Sequence, residues 1–136
     1  MRYLLDTNIL VYVLNAMPRH AGILERFDRE NPQDMVVSSI TLAELRYGLE
    51  KSPRREANRK ALQRVLHALN VIAFDAKAAE VYGSVRATLE RAGSPIGPLD
   101  TLIAAHALAT NVTLVTNNLR EFSRVRGLRV EDWTRS

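Results

Sequence analysis

The feature that most constrains the fold is the alternation of short apolar runs with longer segments of helical periodicity. Four runs have the length and composition of buried strands, namely 3–5, 35–38, 71–74 and 112–116, and 128–130 could add a small edge strand. Helices are predicted over about 9–15, 19–29, 40–51, 54–69 and 76–91, from Pro98 or Leu99 onward, and over 119–122. Strands that alternate with helices indicate an α/β fold with a parallel sheet flanked by helices.

Length and composition narrow the class of protein further. The 136 residues suit a single domain covering 1–136, and no repeat or linker divides them. The absence of cysteine excludes disulfides, thiolate metal sites and a cysteine nucleophile. No apolar stretch reaches the roughly 18 residues of a membrane span, and Asp6 and Asn8 interrupt any signal-peptide core, so we expect a cytoplasmic protein with no membrane partner. The net charge of +4 suggests a polyanionic partner, although an ordinary soluble protein could carry it too.

Three acids occupy the ends of predicted elements. Asp6 follows the first strand, Glu44 lies in the helix after the second strand, and Asp100 lies in the first turn of the helix before the fourth strand. Ligands of parallel sheets bind at the carboxyl ends of the strands, so we expect these side chains to converge. Each also has a plainer explanation. Asp6 could cap a helix, Glu44 could be a surface residue, and Asp100 could be favoured by the helix dipole.

The chemistry of such a cluster points to a cation. Asp100 falls on the apolar stripe of its own helix, and an inward carboxylate beside others is unfavourable unless a cation neutralises it. Oxygen ligands without cysteine suit Mg²⁺ or Mn²⁺, which can activate water at a phosphodiester. His20, His67 and His106 are widely separated, and we expect each to be a surface or packing residue.

Four motifs in order resemble those of PIN-domain nucleases. The first two are LLDTN at 4–8 and SSITLAEL at 38–45, and the last two are IGPLDTLIAAHA at 96–107 and VTNNLREF at 115–122. Together with Gly127-Leu128 and Glu131-Asp132-Trp133, they make the whole chain similar to VapC toxins of type II toxin–antitoxin systems.

The resemblance implies a fold, an activity and a set of partners. The fold is a PIN-like three-layer α/β/α domain with a mainly parallel sheet of four to five strands. The activity is that of an endoribonuclease dependent on Mg²⁺, with Mn²⁺ as a substitute, acting on RNA and first of all on tRNA. The partners are a second copy of the chain in a homodimer, an inhibitory VapB antitoxin, and operator DNA reached only through that antitoxin.

The resemblance also assigns roles to residues. Asp6 and Asp100 match the principal metal ligands of the family, and Glu44 matches its third acid. Many PIN domains carry a fourth acid at the position of Asn118, so the number of metal ions stays open. Asn118 could accept a hydrogen bond from a water bound to the metal, and Glu121 could supply the missing carboxylate.

Three more residues are expected to support the site. Thr116 matches a family hydroxyl that orients the acidic cluster. Thr7 lies next to Asp6 in the first motif, and Asn117 lies next to Asn118 in the last. The hairpin of helices 40–51 and 54–69 carries apolar stripes, and we predict that it forms a groove for the antitoxin while a separate surface makes the homodimer.

Two other classes remain open. Asn118 favours a PIN-fold binding module with too few acids to hold a metal. The position of Asp6 at a strand end is also compatible with a phosphoacceptor domain. The sequence offers no second strand-end aspartate near Asp6, and no matching lysine after the fourth strand, to support that alternative.

Overall fold

A five-stranded parallel sheet forms the centre of the molecule. The computed structural model describes residues 2–15 and 20–134. The sheet order is β3-β2-β1-β4-β5, and each neighbouring pair runs parallel. The strands are β1 Tyr3–Leu5, β2 Met35–Ser38, β3 Asn70–Ile72, β4 Thr113–Val115 and β5 Val130–Glu131.

Helices connect the strands and cover both faces of the sheet. In the described residues they are α1 Thr7–Asn15, α2 Ala21–Arg29, α3 Ser39–Lys51, α4 Arg55–Ala68, α5 Ala76–Arg91, α6 Pro98–Thr110 and α7 Leu119–Phe122, with a 3-10 turn at Pro32–Asp34. None of these helices is long and apolar enough to cross a lipid bilayer.

The two faces of the sheet have separate hydrophobic cores because successive strand side chains point to opposite sides. Leu5 belongs to the core under α1 to α4, with Ile9 and Leu62 among its members. Leu4 belongs to the core under α5 to α7, with Ile103 and Phe122. Leu4 and Leu5 are fully buried, as expected for the central strand of a parallel sheet. The three-layer α/β/α architecture is thereby confirmed.

The predicted elements are present, and some boundaries differ. α1 begins at Thr7 rather than residue 9, and α2 begins at Ala21, while Pro18 and Arg19 lie outside the described residues. β4 is shorter than its predicted run by one residue at each end. β5 begins two residues later than the predicted edge strand and ends one residue later.

β3 ends at Ile72 rather than at residue 74 for a physical reason. Its partner β2 ends at Ser38, which is the residue opposite Ile72. Beyond that point the amide of Phe74 donates to the hydroxyl of Ser39 at 3.0 Å instead of to a strand. The predicted cap at Asp75 is present, since its carboxylate accepts from the amide of Ala78 at 3.0 Å.

Candidate active site

Asp6 is fixed at the carboxyl end of the central strand. Its amide continues the sheet by donating to the carbonyl of Val115 at 2.9 Å. One carboxylate oxygen accepts from the amide of Thr7 at 2.8 Å, and the other accepts from the hydroxyl of Thr116 at 2.8 Å. The side chain is 5% exposed, and this burial raises the pKa of Asp6 against the opposing effect of these hydrogen bonds. Helix capping therefore accounts for only one of its two oxygens.

Glu44 faces the start of α1 rather than open solvent. Its Oε1 accepts from the hydroxyl of Thr7 at 2.9 Å, and the same hydroxyl lies 3.2 Å from that of Thr41. Thr41 is one turn earlier on α3 and is fully buried. Glu44 is thus oriented by a neighbouring helix, which a plain surface residue would not need.

Asp100 lies in the first turn of α6 and is half-buried. Its pKa is raised to about 7. Burial is the largest cause, and a hydrogen bond with Glu121 is the next. The negative charges of Asp6 and Glu44 act in the same direction. A carboxyl group with several negative neighbours is stabilised by a nearby cation.

The three acids border one cavity at the carboxyl edge of the sheet. The cavity measures about 390 Å³, and its walls comprise Asp6, Thr7, Asn8, Glu44, Gly97, Pro98, Leu99 and Asp100. The structure therefore places all three acids on the wall of one cavity. Asn8, Gly97, Pro98 and Leu99 were not among the predicted site residues, although adjacency to Asp6 and Asp100 in the sequence could have suggested them.

The donor set fits a hard divalent cation. Carboxylate oxygens on three separate elements face a common space, and their mutual repulsion is relieved by positive charge. However, no three His, Cys, Asp or Glu side chains within 2–15 and 20–134 lie close enough together to hold one metal ion. The acids are hydrogen-bonded to Thr7, Thr116 and Glu121, so a cation shared by all three would have to draw their carboxylates closer together.

Comparison with known proteins decides the family. The PIN domain family model matches residues 3–128. The "tRNA(fMet)-specific endonuclease VapC" of Shigella flexneri is 44% identical over 134 residues, which cover 98% of this chain and 99% of the relative. The chain belongs to the PIN-domain family, among the VapC proteins.

Solved VapC structures share the fold over almost the full length. VapBC2 from Rickettsia felis, bound to a DNA fragment from its promoter, aligns with a TM-score of 0.90 and 42% identity, covering 98% of this chain and 99% of that chain. DNA-bound VapBC from Salmonella typhimurium aligns with a TM-score of 0.90 and 44% identity, covering 98% of each. The predicted PIN-like fold and the resemblance to VapC are confirmed.

The segment after β4 connects the acidic cavity of this PIN domain to α7. The hydroxyl of Thr116 accepts from the amide of Asn118 at 3.0 Å while it donates to Asp6. The side-chain amide of Asn118 donates to Glu121 at 3.2 Å, and Glu121 in turn bonds to Asp100. Asn118 therefore orients the carboxylate of Glu121, which lies within hydrogen-bonding reach of Asp100. Asn117 points elsewhere and donates to the hydroxyl of Tyr12 at 3.0 Å.

His106 is a buried packing residue, which is one of the two roles that the sequence analysis expected for it. It is 1% exposed, its Nδ1 lies 2.8 Å from the hydroxyl of Ser38, and its ring meets Phe74 edge-on at 5.3 Å. Burial lowers the pKa of His106, against the opposing effect of the Asp75 charge. His106 joins α6, which carries Asp100, to the end of β2.

An apolar groove runs from the acidic cavity between α1, α3 and α4. Its volume is about 440 Å³, and its walls include Val11, Leu14, Leu45 and Tyr47. Thr7 and Glu44 border both this groove and the acidic cavity. Tyr47 is 65% exposed, which is unusual for a large aromatic side chain next to other apolar residues.

Proposed function

We propose that this PIN domain is the toxin of a type II toxin–antitoxin system, a Mg²⁺-dependent endoribonuclease that cuts RNA in the cytoplasm. The observation that carries the proposal is the convergence of Asp6, Glu44 and Asp100 on one cavity, with the pKa of Asp100 raised to about 7. The related proteins named VapC endonuclease and ribonuclease support the reaction class. We take tRNA as the first substrate because the Shigella flexneri relative is named for it.

Asp6, Asp100 and Glu44 would hold the metal ion, with Mn²⁺ as an alternative to Mg²⁺. Such an ion supplies water activation and charge neutralisation at a phosphodiester. The chain's own hydroxyls position the ligands, since Thr116 holds Asp6 and Thr7 holds Glu44. These contacts fix carboxylates that would otherwise repel each other.

Glu121 and Asn118 complete the proposed catalytic set. Glu121 shares a hydrogen bond with Asp100, and Asn118 donates to Glu121 at 3.2 Å. Glu121 therefore places a second carboxylate next to the principal ligand, which is where a group that moves protons during hydrolysis has to lie. Thr7 supports the site from α1, whereas Asn117 bonds to Tyr12 and takes no part in it.

The apolar groove between α1, α3 and α4 is our proposed seat for a VapB-type antitoxin. An amphipathic segment of the antitoxin would bury Tyr47 and its apolar neighbours. Because Glu44 borders both the groove and the acidic cavity, an antitoxin seated there would reach the catalytic carboxylates. A separate surface makes the homodimer, and operator DNA is bound through the antitoxin, as the promoter-bound relatives suggest.

Cleavage of unfractionated bacterial tRNA tests the proposal. The purified chain should cut tRNA in Mg²⁺ and stop when EDTA is added, and excess Mg²⁺ should restore cutting. Asn118 favours one competing function, a PIN-fold module that binds RNA without cutting it. Binding of tRNA without cleavage in Mg²⁺ or Mn²⁺ would establish that alternative and overturn the nuclease assignment.

A further inference from the structure

A second cavity lies next to the acidic one, between α5 and the loop that leads into α6. It measures about 320 Å³, and its walls include Tyr82, Arg86, Leu89 and Glu90 from α5 and Ile96 from the loop. Pro98 borders both cavities, so only the start of α6 separates this space from the carboxylates. Asp6, Glu44 and Asp100 are absent from the walls of this second cavity.

We infer that this cavity receives one unpaired nucleobase of the RNA, adjacent to the phosphate that is cut. The inference rests on the proposed function, because it names how that substrate is held. It assigns Tyr82 and Arg86 as substrate-binding residues, which neither the motifs nor the family comparison singles out.

The walls have the chemistry that holds unpaired bases. Bases of single-stranded RNA stack on aromatic rings and on arginine guanidinium planes. Tyr82 offers a half-buried ring, and Arg86 offers a guanidinium whose side chain is 59% exposed. Leu89 gives the cavity a buried apolar wall, and Glu90 offers a carboxylate that can accept from the amino group of a base.

The stacking groups are held in place before any ligand arrives. Nη1 of Arg86 donates to the hydroxyl of Tyr82 at 3.1 Å, and its Nε donates to Glu90 at 3.3 Å. These bonds link successive turns of α5 and orient the guanidinium plane. Preorganisation of this kind reduces the entropy lost when a ligand binds.

The opposite wall is also fixed. Nη1 of Arg124 donates to the carbonyl of Pro95 at 3.0 Å, and the hydroxyl of Thr101 donates to the carbonyl of Gly97 at 2.8 Å. Proline at 95 and 98 further limits the loop, because its ring fixes the backbone.

Charge distinguishes RNA from an apolar peptide as the occupant. Arg86 lines the cavity from α5, Arg124 bonds to the loop at Pro95, and Pro98 separates this space from the cavity lined by Asp6 and Asp100. A nucleotide has an anionic backbone that suits these cations and a flat base that suits the space between Tyr82 and the loop. A second copy of this chain is the competing occupant.

A matched pair of variants tests the stacking role of Tyr82. Tyr82→Leu removes the ring, and Tyr82→Phe keeps it and removes only the hydroxyl. With tRNA as the probe, we expect Tyr82→Leu to raise KM about tenfold with kcat within about twofold, and Tyr82→Phe to raise KM by only about twofold, because it keeps the ring and loses only the bond that orients Arg86. Equal KM values for all three proteins, or an altered oligomeric state in Tyr82→Leu, would overturn the inference. A lowered Tm in both variants with unchanged KM would show a structural role only.

Abasic substrates test the same contact from the RNA side. Oligoribonucleotides spanning the mapped cut carry one abasic nucleotide at each flanking position in turn. The wild type should lose binding at one position, and Tyr82→Leu should be insensitive at that position because the contact is already gone. If the abasic nucleotide and Tyr82→Leu weaken binding additively at every position, no base occupies this cavity.

A binding assay separates failure of this inference from failure of the proposed function. Fluorescence anisotropy of labelled single-stranded RNA is measured in an Asp100→Asn background, with and without Tyr82→Leu. Weaker binding on loss of the ring supports the cavity even if the wild type cuts no RNA. Cleavage by the wild type together with unchanged binding retains the nuclease and rejects the cavity.

Discussion

The hydroxyl of Thr116 donates a 2.8 Å hydrogen bond to Oδ2 of Asp6 and joins the ends of β4 and β1. Both side chains are buried, and the same hydroxyl accepts from the amide of Asn118 at 3.0 Å. One side chain thus fixes the position of the Asp6 carboxylate and the start of the segment that carries Glu121. This contact lowers the pKa of Asp6, which burial raises.

Thr116→Val should separate the effect of the hydroxyl on the pKa of Asp6 from the effect of burial. Valine keeps the volume but removes the donor, so the pKa of Asp6 should rise further and the acid limb of the pH–rate profile should move to higher pH. Unfolding free energy should fall by about 1–3 kcal/mol because buried polar groups lose a partner. Thr116→Ser, which keeps the hydroxyl, should restore most of the activity. An unshifted pH profile in Thr116→Val would show that the hydroxyl does not act on Asp6.

The stability of the metal-free protein should depend on pH through Asp100. Its pKa is raised from 3.8 to about 7, so the folded state holds this proton more tightly than the unfolded chain does. The contribution to stability is therefore fully present below about pH 4 and is lost as the pH rises through about 7. In EDTA, Tm measured from pH 4 to 8 should fall more steeply for the wild type than for Asp100→Asn. Parallel curves for the two proteins would contradict the carboxylate cluster.

Glu121→Gln and Asn118→Asp should test the fourth acid. Glu121→Gln removes the charge next to Asp100, and we expect cleavage to fall by about 100-fold or more, as for loss of a positioned proton-transfer group. Asn118→Asp replaces a donor 3.2 Å from Glu121 by a second carboxylate, so it should weaken cleavage rather than increase it. Rates at saturating Mg²⁺ measure both. A faster Asn118→Asp enzyme would mean that this position holds metal directly and that Glu121 is dispensable.

Gly48→Leu should block the antitoxin without harming the fold. Gly48 borders the apolar groove, and a Cβ there would contact nothing within 4 Å. Removing glycine from a helix stabilises by about 0.5–1 kcal/mol, so Tm should rise slightly. The Kd for the cognate VapB antitoxin should weaken by at least about tenfold, since a bulky side chain fills its seat.

Gly83→Leu is the matched control for the groove. Gly83 lies on α5, its Cβ would also meet nothing within 4 Å, and it is absent from the walls of the groove. This variant should gain the same helix stability and bind the antitoxin as the wild type does. Equal antitoxin affinity in both glycine variants would place the antitoxin elsewhere.

Local patterns predicted much of the fold because most element ends are encoded locally. β1, β2 and α5 have the predicted bounds, and the side chains of Ser38 and Asp75 cap the helices that follow them. The early end of β3 was not predictable, since it depends on a hydroxyl from α3 that captures the amide of Phe74.

The acids of the site were predictable by position, and their electrostatics were not. Asp6 and Asp100 stand where strands and helices meet, which the sequence shows directly. The bond between Asp100 and Glu121 depends on how α7 packs against the start of α6, and so does the raised pKa of Asp100. The cavity beside α5 similarly requires the tertiary position of the loop before Pro98.

Asp100→Asn gives the most direct test of the metal-dependent site. Asparagine keeps the shape and one acceptor oxygen but removes the charge that a cation needs, and it relieves repulsion when no cation is bound. The measurement pairs tRNA cleavage in Mg²⁺ with Tm in EDTA on the wild type and this variant. We predict a loss of cleavage of about 100-fold or more, with a Tm in EDTA equal to or above that of the wild type. Full cleavage with a lowered Tm would contradict the assignment and show that Asp100 only stabilises its helix.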